Sequence, residues 1–510
     1  MRKIVFILPI LILSTVLTLA QTSTDALRFS ESFVNGSARY IGMGGAFGAL
    51  GGDFSTLSSN PAGLGVYRSS EFSISTSFNK GNFTSEYTGF STENDKRNLM
   101  LDNLGVVFAF KPEKEKESGI VGVNFGIGYN RSGNYNLESR LSNGVQYYSI
   151  MDTWALRANA LGLNPIDLQA STDYDPYSNS SIPLDLIAAW NAFLIEHDGT
   201  SYYAPLYDGD VFKPTHFIQS EGGKHEYDFS LGLNFSHKLY FGMTLGLQSI
   251  DYSRYTVYTE TLSATGDPDM PYLFDNLSYS ENLSVSGNGF NFKLGAIYRP
   301  IESLRLGLAF HTPTYFSVDE HYSLSASSEF WDGDFITPAS QTTETFKNTY
   351  DLETPFRTIA SAAVVIGDVG LISFDYEYSD YSTMRFKNGV GGNMYNAVND
   401  EIKGVYRATN SFRLGGEFRL DNVFFRAGGA YYSSPYKSEL LNKNADNLII
   451  SGGIGYRHKS VYIDFAYSRL MHTEKYTFFD IRDNAGNLAI DPVTQKWAVG
   501  KAVLTLGIKF

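Results

Sequence analysis

Apolar and polar residues alternate along most of this chain, and no other feature restricts its fold as strongly. The final segment Leu504–Phe510 places Leu, Leu, Ile and Phe on one face and Thr, Gly and Lys on the other. Residues 304–311 repeat the pattern as LRLGLAFH, and residues 121–128 repeat it as VGVNFGIG. A period of two is that of a β-strand with one apolar face. We count fourteen such segments after residue 69, so the chain is predicted to be all-β.

The connections between these segments alternate in length. Six of them are short, and a longer one separates each short connection from the next. This alternation is expected when one rim of an antiparallel barrel carries tight periplasmic turns and the other carries long outer loops. We therefore predict a 14-stranded antiparallel transmembrane β-barrel over residues 70–510. The short connections are Lys111–Ser118, Ser236–Leu239, Arg299–Ser303, Gly367–Gly370, Arg419–Asn422 and Arg457–Ser460.

The composition agrees with a membrane barrel. Charged residues make up 18% of the chain, which also holds 35 Tyr, 37 Phe and 48 Gly. Soluble proteins carry about 25% charged residues. After the first twenty residues, no apolar run reaches the roughly 18 residues that a membrane helix needs. The net charge of −14 leaves no excess of cations to neutralise phosphates, so no nucleic-acid partner is expected.

The beginning of the chain has the features of a secretory signal peptide. Met1–Lys3 is basic, Ile4–Leu19 is largely apolar, and Thr18 and Ala20 approximate the small-x-small pattern before a cleavage site. Residues 1–20 are therefore predicted to be removed on export. The chain has no cysteine, so neither a disulfide framework nor a lipoprotein anchor is expected. Together with the barrel pattern, this predicts a multi-pass protein of a Gram-negative outer membrane.

Residues 21–69 precede the first strand and are rich in glycine. The glycines superficially resemble a dinucleotide-binding loop, but no strand–loop–helix unit surrounds them. Glycine lets one backbone segment pass close to another, and Asn60-Pro61 is a turn initiator. We therefore predict that residues 21–69 form a compact plug, or hatch, inside the barrel.

The same segment resembles a known family. The pattern Ser-Ala-Arg-x-x-Gly-Met-Gly-Gly-Ala at 37–46 is followed by Asn-Pro-Ala-Gly at 60–63. This is similar to the hatch of the FadL/TodX-type outer membrane transport proteins, which carry long-chain fatty acids and aromatic hydrocarbons. Further similarity falls at 299–313, 411–417 and 425–435. The hatch residues that carry the resemblance are Gly42, Gly44, Gly45, Asp53, Asn60, Pro61 and Ala62.

The resemblance implies a function. It implies passive uptake of hydrophobic compounds, long-chain fatty acids or similar lipophilic molecules, which are captured at outer loops, pass a rearranging hatch and leave through the wall. The lateral opening would come from a kink in the third strand. Gly122, Gly126, Gly128 and Gly133 permit such a kink, because glycine weakens and bends strands.

The alternation of inward and outward side chains along each strand, which we call strand parity, places a set of charged residues inside the barrel. There they must pair or stay hydrated. One interpretation is that wall-to-hatch ion pairs hold the plug. The other is that one or two cations receive the carboxylate head of a fatty acid through a charge-assisted contact. Our candidates for that second role are Arg357, Arg413 and Lys501. The inward set comprises Lys293, Arg305, Arg357, Asp375, Glu377, Arg413, Glu417, Arg426, Asp464 and Lys501.

One outer segment, about residues 145–221, is predicted to be helical, with helices over Val145–Leu163 and Ile182–His197. The second helix is apolar around most of its circumference. In the family that the chain resembles, outer-loop helices form an apolar groove that captures substrate. The alternative is that the two helices only cover each other. The candidate substrate-binding residues here are Leu186, Trp190, Phe193 and Leu194.

Catalysis and metal binding are not predicted. The eight histidines lack metal-ligand spacing, and no Gly-x-Ser-x-Gly motif occurs, so we expect neither an enzyme nor a cofactor. The expected partners are a hydrophobic ligand and outer-membrane lipid, with the barrel acting as a monomer. A rival function is protein docking or shuttling in a secretion system, because outer-membrane components of gliding-bacterium secretion machinery resemble the same barrel. An aqueous porin is disfavoured by the plug.

Overall fold

Fourteen antiparallel strands close into one barrel, because the last strand pairs with the first. In the computed structural model, Ser75 of the first strand lies opposite Thr505 of the last. The predicted fold class is therefore confirmed. Strands 1 to 14, in chain order, are Glu71–Tyr87, Phe90–Phe110, Ile120–Asn134 with Leu137–Leu141, Val211–Phe235, Leu239–Ala264, Leu273–Ile301, Leu304–His311 with Tyr315–Trp331, Ile336–Thr342 with Phe346–Glu353 and Arg357–Ile366, Gly370–Asp380 with Arg385–Lys387, Ala408–Leu420, Val423–Tyr432, Asn447–His458, Val461–Tyr476 and Val493–Lys509.

The structure describes residues 22–510 except 111–117, 180, 268–272, 332–335, 388–393 and 484–485. The predicted signal peptide, residues 1–20, lies outside these described residues, as does most of the short connection between strands 2 and 3.

The two faces of the barrel wall follow the predicted parity. In strand 10, Phe412 and Leu414 are 41% and 56% exposed, whereas Ser411 and Arg413 between and beside them are buried. In strand 14, Leu504, Leu506 and Ile508 are exposed and Thr505 is buried. An apolar outer face and a polar inner face are what a lipid-embedded barrel requires.

Several connections that the sequence predicted to be long loops are strand instead. Strands 1 and 2 are joined only by Thr88 and Gly89, whose φ angles of 43° and 86° form a tight hairpin turn. Strands 5 to 8 likewise continue far past the part of the wall that shows apolar alternation. The prediction was wrong here because a strand that rises above the membrane keeps its hydrogen-bond ladder but no longer needs an apolar face.

Helices occur in the outer connections. The connection between strands 3 and 4 holds α4 (Ile150–Leu161), α5 (Pro165–Leu168) and α6 (Leu184–Asn191). We call residues 142–210, which include these helices, the outer lid. The predicted second helix ends six residues early, where Phe193 adopts a φ of 55°. Residues 211–221 belong to strand 4, not to the predicted helical segment.

Further helices lie in the N-terminal segment, which we define as residues 22–69. They are α1 (Ser23–Ser30), α2 (Ala38–Gly42), α3 (Thr56–Ser59) and the 3₁₀ helix Pro61–Val66. One more helix, α7 (Asn396–Val405), lies between strands 9 and 10. None of the helices in the described part of the chain has both the length and the hydropathy needed to cross a membrane.

Candidate functional site

The N-terminal segment packs against the inner face of the barrel wall at very short backbone distances. Gly44 has a φ of 63°, and a Cβ placed on it would lie 2.6 Å from the backbone nitrogen of Gly429. On the wall side, a Cβ on Gly242 would lie 2.1 Å from the carbonyl carbon of Pro61. Both distances are far below a van der Waals contact, so glycine is required on both surfaces.

The predicted hatch residues hold this segment together. Asp53 accepts hydrogen bonds from the Ser37 hydroxyl at 2.7 Å and from the Ser55 backbone N–H at 3.0 Å. Asn60 donates to the Gly48 carbonyl at 2.6 Å and accepts from the Ala62 N–H at 3.1 Å.

Gly42, Gly45 and Pro61 complete the motif. Gly42 ends α2, Gly45 has a φ of 75°, and Pro61 begins the 3₁₀ helix. The motif therefore folds the segment onto itself.

Buried ion pairs join the N-terminal segment to strands 10, 11 and 13. Glu417 accepts from Arg39 of the segment at 2.8 Å and from Arg426 at 2.7 Å. Arg426 also donates to Asp464 at 2.6 Å. All of these side chains are at most 12% exposed. These charges therefore support the interpretation that inward ion pairs fix the segment.

A second network acts in the same way. Asp375 accepts hydrogen bonds from the backbone N–H groups of Phe47 and Gly48 at 3.1 and 3.0 Å. Arg413 pairs with Glu377 at 2.9 Å and lies 3.7 Å from Asp375. Arg413 is thus already neutralised by carboxylates, which weakens its candidacy as a head-group receptor.

The three candidate cations differ in their partners. Lys501 pairs with Asp102 at 2.9 Å and also donates to Asn35. Arg357 donates to the backbone carbonyl of Ser30 at 2.7 Å. Among the described residues, no carboxylate lies within 4 Å of Arg357. Of the three candidates, only Arg357 therefore has no carboxylate within 4 Å among the described residues.

The sequence analysis missed a second cation of this kind. Lys224 of strand 4 is 3% exposed and donates to the backbone carbonyls of Phe29 at 2.9 Å and Glu31 at 2.7 Å. Lys224 lies an even number of residues before the inward-facing Asp228. Continuing the alternation of strand 4 toward the outer end would therefore have placed the Lys224 side chain inside the barrel. It was missed because the apolar alternation of strand 4 begins only at Asp228.

Lys224 and Arg357 line a cavity of about 100 Å³ in the barrel interior, which we call the luminal cavity. Its wall is polar, and within the part of the chain that the structure describes the buried Ser30 Oγ and Asn291 Oδ1 beside it have no hydrogen-bond partner. Such atoms call for water or a polar ligand group. Sites for drug-sized ligands usually enclose about 300–1,000 Å³, so a long-chain ligand requires movement of the surrounding residues.

The barrel wall is interrupted next to this cavity. Among the described residues, the ladder between strands 2 and 3 joins Asn103–Phe110 only to Val123–Asn130. Beyond Asn130, the register of strand 3 against strand 4 shifts between Arg131 and Gly133. In the described part of the chain, no backbone ladder joins residues 97–102 of strand 2 to residues 131–134 of strand 3, and we call this stretch the wall gap. The Arg131 side chain crosses it and donates to the Leu101 carbonyl at 3.4 Å. Of the four glycines expected to permit a kink in strand 3, only Gly133 lies in this stretch, whereas Gly126 and Gly128 belong to the intact ladder.

The N-terminal segment stands behind the wall gap. Asn35 donates to the Arg131 carbonyl, and the Ser32 hydroxyl donates to the Ser132 carbonyl at 3.3 Å. All four residues also line the luminal cavity. Toward the outside, Lys96 of strand 2 pairs with Glu221 of strand 4 at 2.8 Å and bounds the gap.

The four candidate residues of the outer lid have different environments. Leu186 and Leu194 are fully buried in the core of the lid, and Trp190 packs edge-to-face on Tyr202 with ring centroids 5.8 Å apart. Phe193 is 57% exposed at its left-handed backbone position. The structure thus makes Leu186 and Leu194 parts of the lid core and leaves Phe193 accessible from outside.

In the described part of the chain, no group of three or more His, Asp or Glu side chains is placed to hold a metal ion. The histidine that strand alternation placed inside, His311, donates from Nε2 to the backbone carbonyl of Ser59 at 2.7 Å, so its ring joins the wall to the N-terminal segment.

Comparisons with known proteins agree with this architecture. The sequence profile of a family described as "Outer membrane protein transport protein (OMPP1/FadL/TodX)" matches residues 225–504, more than half of the chain. No curated protein sequence matches the chain.

Solved structures with the same fold include a FadL homologue and two toluene transporters. A Pseudomonas aeruginosa FadL homologue is 14% identical, with a TM-score of 0.55, over 94% of this chain and 100% of that one. The P. putida toluene transporter TodX is 12% identical, with a TM-score of 0.52, over 94% and 99%. The Ralstonia pickettii toluene transporter TbuX is 15% identical, with a TM-score of 0.51, over 94% and 99%.

Proposed function

Because this chain belongs to the OMPP1/FadL/TodX family of outer membrane transport proteins, we propose that it is a passive, non-enzymatic channel for hydrophobic compounds. Its substrates are long-chain fatty acids or amphiphiles of similar shape. The N-terminal segment serves as the hatch, and the barrel works as a monomer in outer-membrane lipid. The toluene transporters share its fold, but the polar luminal cavity favours a ligand with a polar head.

The observation that carries the proposal is the wall gap with the luminal cavity directly behind it. Asn35, Arg131 and Ser132 belong to both. A molecule held in the cavity therefore has a short route into the membrane that avoids the aqueous periplasm. For an apolar chain this route is favourable, since each buried CH₂ contributes about 0.8 kcal/mol.

The proposed path has three stages. Exposed Phe193 of the outer lid makes the first apolar contact. Arg357 then receives the polar head in the luminal cavity, because it lacks a carboxylate partner among the described residues. Displacement of residues 32–35 from strand 3 finally opens the wall gap to the acyl chain. Affinity should rise with acyl chain length, because longer chains bury more apolar surface.

Cross-linking across the wall gap tests this proposal. Because the chain has no native cysteine, a thiol reagent reacts only at the introduced positions. In the variant Leu101→Cys with Ser132→Cys, a flexible bis-maleimide should tie strand 2 to strand 3 and abolish uptake of a fluorescent fatty acid into liposomes. The control is Leu104→Cys with Tyr129→Cys, whose positions already face each other in the ladder. The same reagent there should leave uptake unchanged. Equal uptake by both cross-linked proteins would reject lateral release.

A further inference from the structure

A row of exposed cations crosses four neighbouring strands on the lipid-facing side of the barrel wall. Lys80 of strand 1 lies opposite Arg97 of strand 2 and opposite Gly500 of strand 14. Gly500 in turn lies opposite Arg469 of strand 13. All three cations are exposed, and strand parity puts Lys80 on the same outward face as Phe78. We call Arg97, Lys80, Gly500 and Arg469 the cation row.

The cation row lies at the outer edge of the apolar band of the wall. A β-strand crosses the hydrocarbon core in about ten residues, and Lys80 follows Glu71, the first residue of strand 1, by nine positions. The adjacent outward-facing row on the periplasmic side is apolar and aromatic. It comprises Leu99, Phe78, Ala502 and Tyr467. The cations therefore lie at the level of the outer lipid head groups, directly above side chains that contact acyl chains.

The positive charge of this row is largely unneutralised by the protein. Among the described residues, no carboxylate lies within 4 Å of Lys80 or of Arg469. Arg97 pairs with Asp95 at 2.9 Å, but the two side chains are 61% and 49% exposed. Exposed pairs of this kind contribute little and are easily exchanged for another partner. The cation row therefore offers its charge to an anion in the surrounding membrane.

Gly500 leaves room in the middle of the row, and a hydroxyl group reaches that place from below. A Cβ placed on Gly500 would lie 2.5 Å from the hydroxyl oxygen of Tyr467. Neighbouring strands are about 4.8 Å apart, so the Cα atoms of Lys80 and Arg469 are separated by about 10 Å across strand 14. Both long side chains can reach one group above Gly500. An ammonium, a guanidinium and a phenol hydroxyl together are suitable donors for a phosphate.

The charge has the opposite sign on another part of the wall. In strands 5, 6 and 7, the exposed outward residues beyond the apolar band include Asp251, Ser286 and Asp319, which lie opposite one another across the three strands. An anion is repelled from that surface. The cation row is therefore a local feature of strands 13, 14, 1 and 2, in a chain whose net charge is −14.

We propose that the cation row binds the phosphate of an outer-leaflet lipid, a phosphorylated glycolipid of the lipid A type. Lys80 and Arg469 hold the phosphate above Gly500, and the Tyr467 hydroxyl donates to it. The acyl chains lie on the apolar row below, which a free phosphate ion would leave unused. Because strand 14 closes the barrel against strand 1, the bound lipid bridges this seam. The site is independent of the proposed transport function.

Native mass spectrometry of the purified protein in detergent tests the site, with bisphosphorylated lipid A as the probe. The wild-type protein should retain lipid A, and Lys80→Gln with Arg469→Gln should lower the bound fraction at least tenfold, because both charged donors are lost. The matched control is Lys213→Gln with Lys347→Gln. It removes the same charge from exposed positions far beyond the apolar band of strands 4 and 8, and it should bind lipid A as the wild type does.

Two further measurements on the wild-type protein need no variant. Fully dephosphorylated lipid A should bind at least tenfold more weakly than lipid A, and an equal concentration of inorganic phosphate should not displace bound lipid A. Equal binding of the dephosphorylated form, or full binding of lipid A by the Lys80→Gln, Arg469→Gln protein, would overturn the phosphate site. Displacement by inorganic phosphate would show a site for free anions and overturn the assignment to a lipid.

Discussion

At the residue scale, inward charges of this barrel divide into those that bind each other and those that bind backbone. Glu417, between Arg39 and Arg426, exemplifies the first group. Lys224 and Arg357 exemplify the second. Parity predicts that such a residue points inward. It does not reveal its partner, because the partner belongs to a distant strand or to the N-terminal segment. For that reason Arg413 and Lys501 could not be told apart from Arg357 by sequence.

Glu417→Gln should loosen the N-terminal segment. It leaves Arg39 and Arg426 without their shared carboxylate, and breaking a buried pair costs about 3–5 kcal/mol. Limited proteolysis of the purified protein should then cut within residues 22–69 at least tenfold faster than in wild type. The matched control is Glu302→Gln, whose side chain is 97% exposed in its pair with Arg299 and contributes little. Equal protection in both variants would contradict the anchoring role.

Glu260 should make the outer lid sensitive to pH. Strand 5 needs only about ten residues to cross the membrane, and Glu260, 21 residues after its start, lies beyond that span. Its carboxylate accepts from the Ile150 N–H at 2.9 Å and the Gln146 amide at 3.0 Å at the start of α4. Burial raises the pKa of Glu260 from 4.5 to about 7.

Because this pKa is raised in the folded protein, the protonated form is the favoured one. The folded state around Glu260 is therefore most stable below pH 4.5 and loses on the order of 3 kcal/mol of stability as the pH rises through 7. Amide hydrogen exchange in α4, corrected for intrinsic rates, should be slower at pH 5 than at pH 8. Glu260→Gln keeps most of the hydrogen bonds and should remove the difference. A wild-type protein with the opposite pH trend would refute this account.

At the scale of elements, the strands divide into a membrane part that the sequence predicts and an outer part that it does not. The lipid-facing alternation of Phe412 and Leu414 identifies strand 10 directly. The stretch 91–98 of strand 2 has no such signal, because its residues are polar on both faces. The predicted helix over Ile182–His197 also extended too far, since no sequence pattern announced the left-handed turn at Phe193.

Glycines on the wall strands should matter only where the N-terminal segment touches them. A Cβ on Gly428 of strand 11 would lie 2.2 Å from the carbonyl carbon of Met43, whereas a Cβ on Gly416 of strand 10 would lie 3.7 Å from its nearest neighbour, the carbonyl oxygen of Leu371. Gly428→Ala should therefore displace the segment and raise ion conductance in planar bilayers severalfold. Gly416→Ala should not. Conductance that is unchanged in both variants would show that the segment does not seal the lumen.

At the scale of the whole molecule, three features of the structure act together. A closed barrel presents an apolar face to lipid. A glycine-rich segment packs against its inner face and is held there by buried ion pairs. The ladder between strands 2 and 3 stops beside a polar cavity. The sequence predicts the first two features, because alternation and the glycine motif are local. It permits the wall gap through the glycines of strand 3 but cannot place it, since the gap depends on pairing between strands.

The central claim is that a bound amphiphile leaves through the wall gap and not through the periplasmic end. A fatty acid with a photoactivatable group at the end of its acyl chain tests it most directly, by mass spectrometry of the cross-linked protein in nanodiscs. The account predicts adducts on residues 97–102 and 131–134, which are lost when unlabelled fatty acid is in excess. Adducts concentrated along the lower lumen, around Gly65 and Leu233, would contradict lateral release.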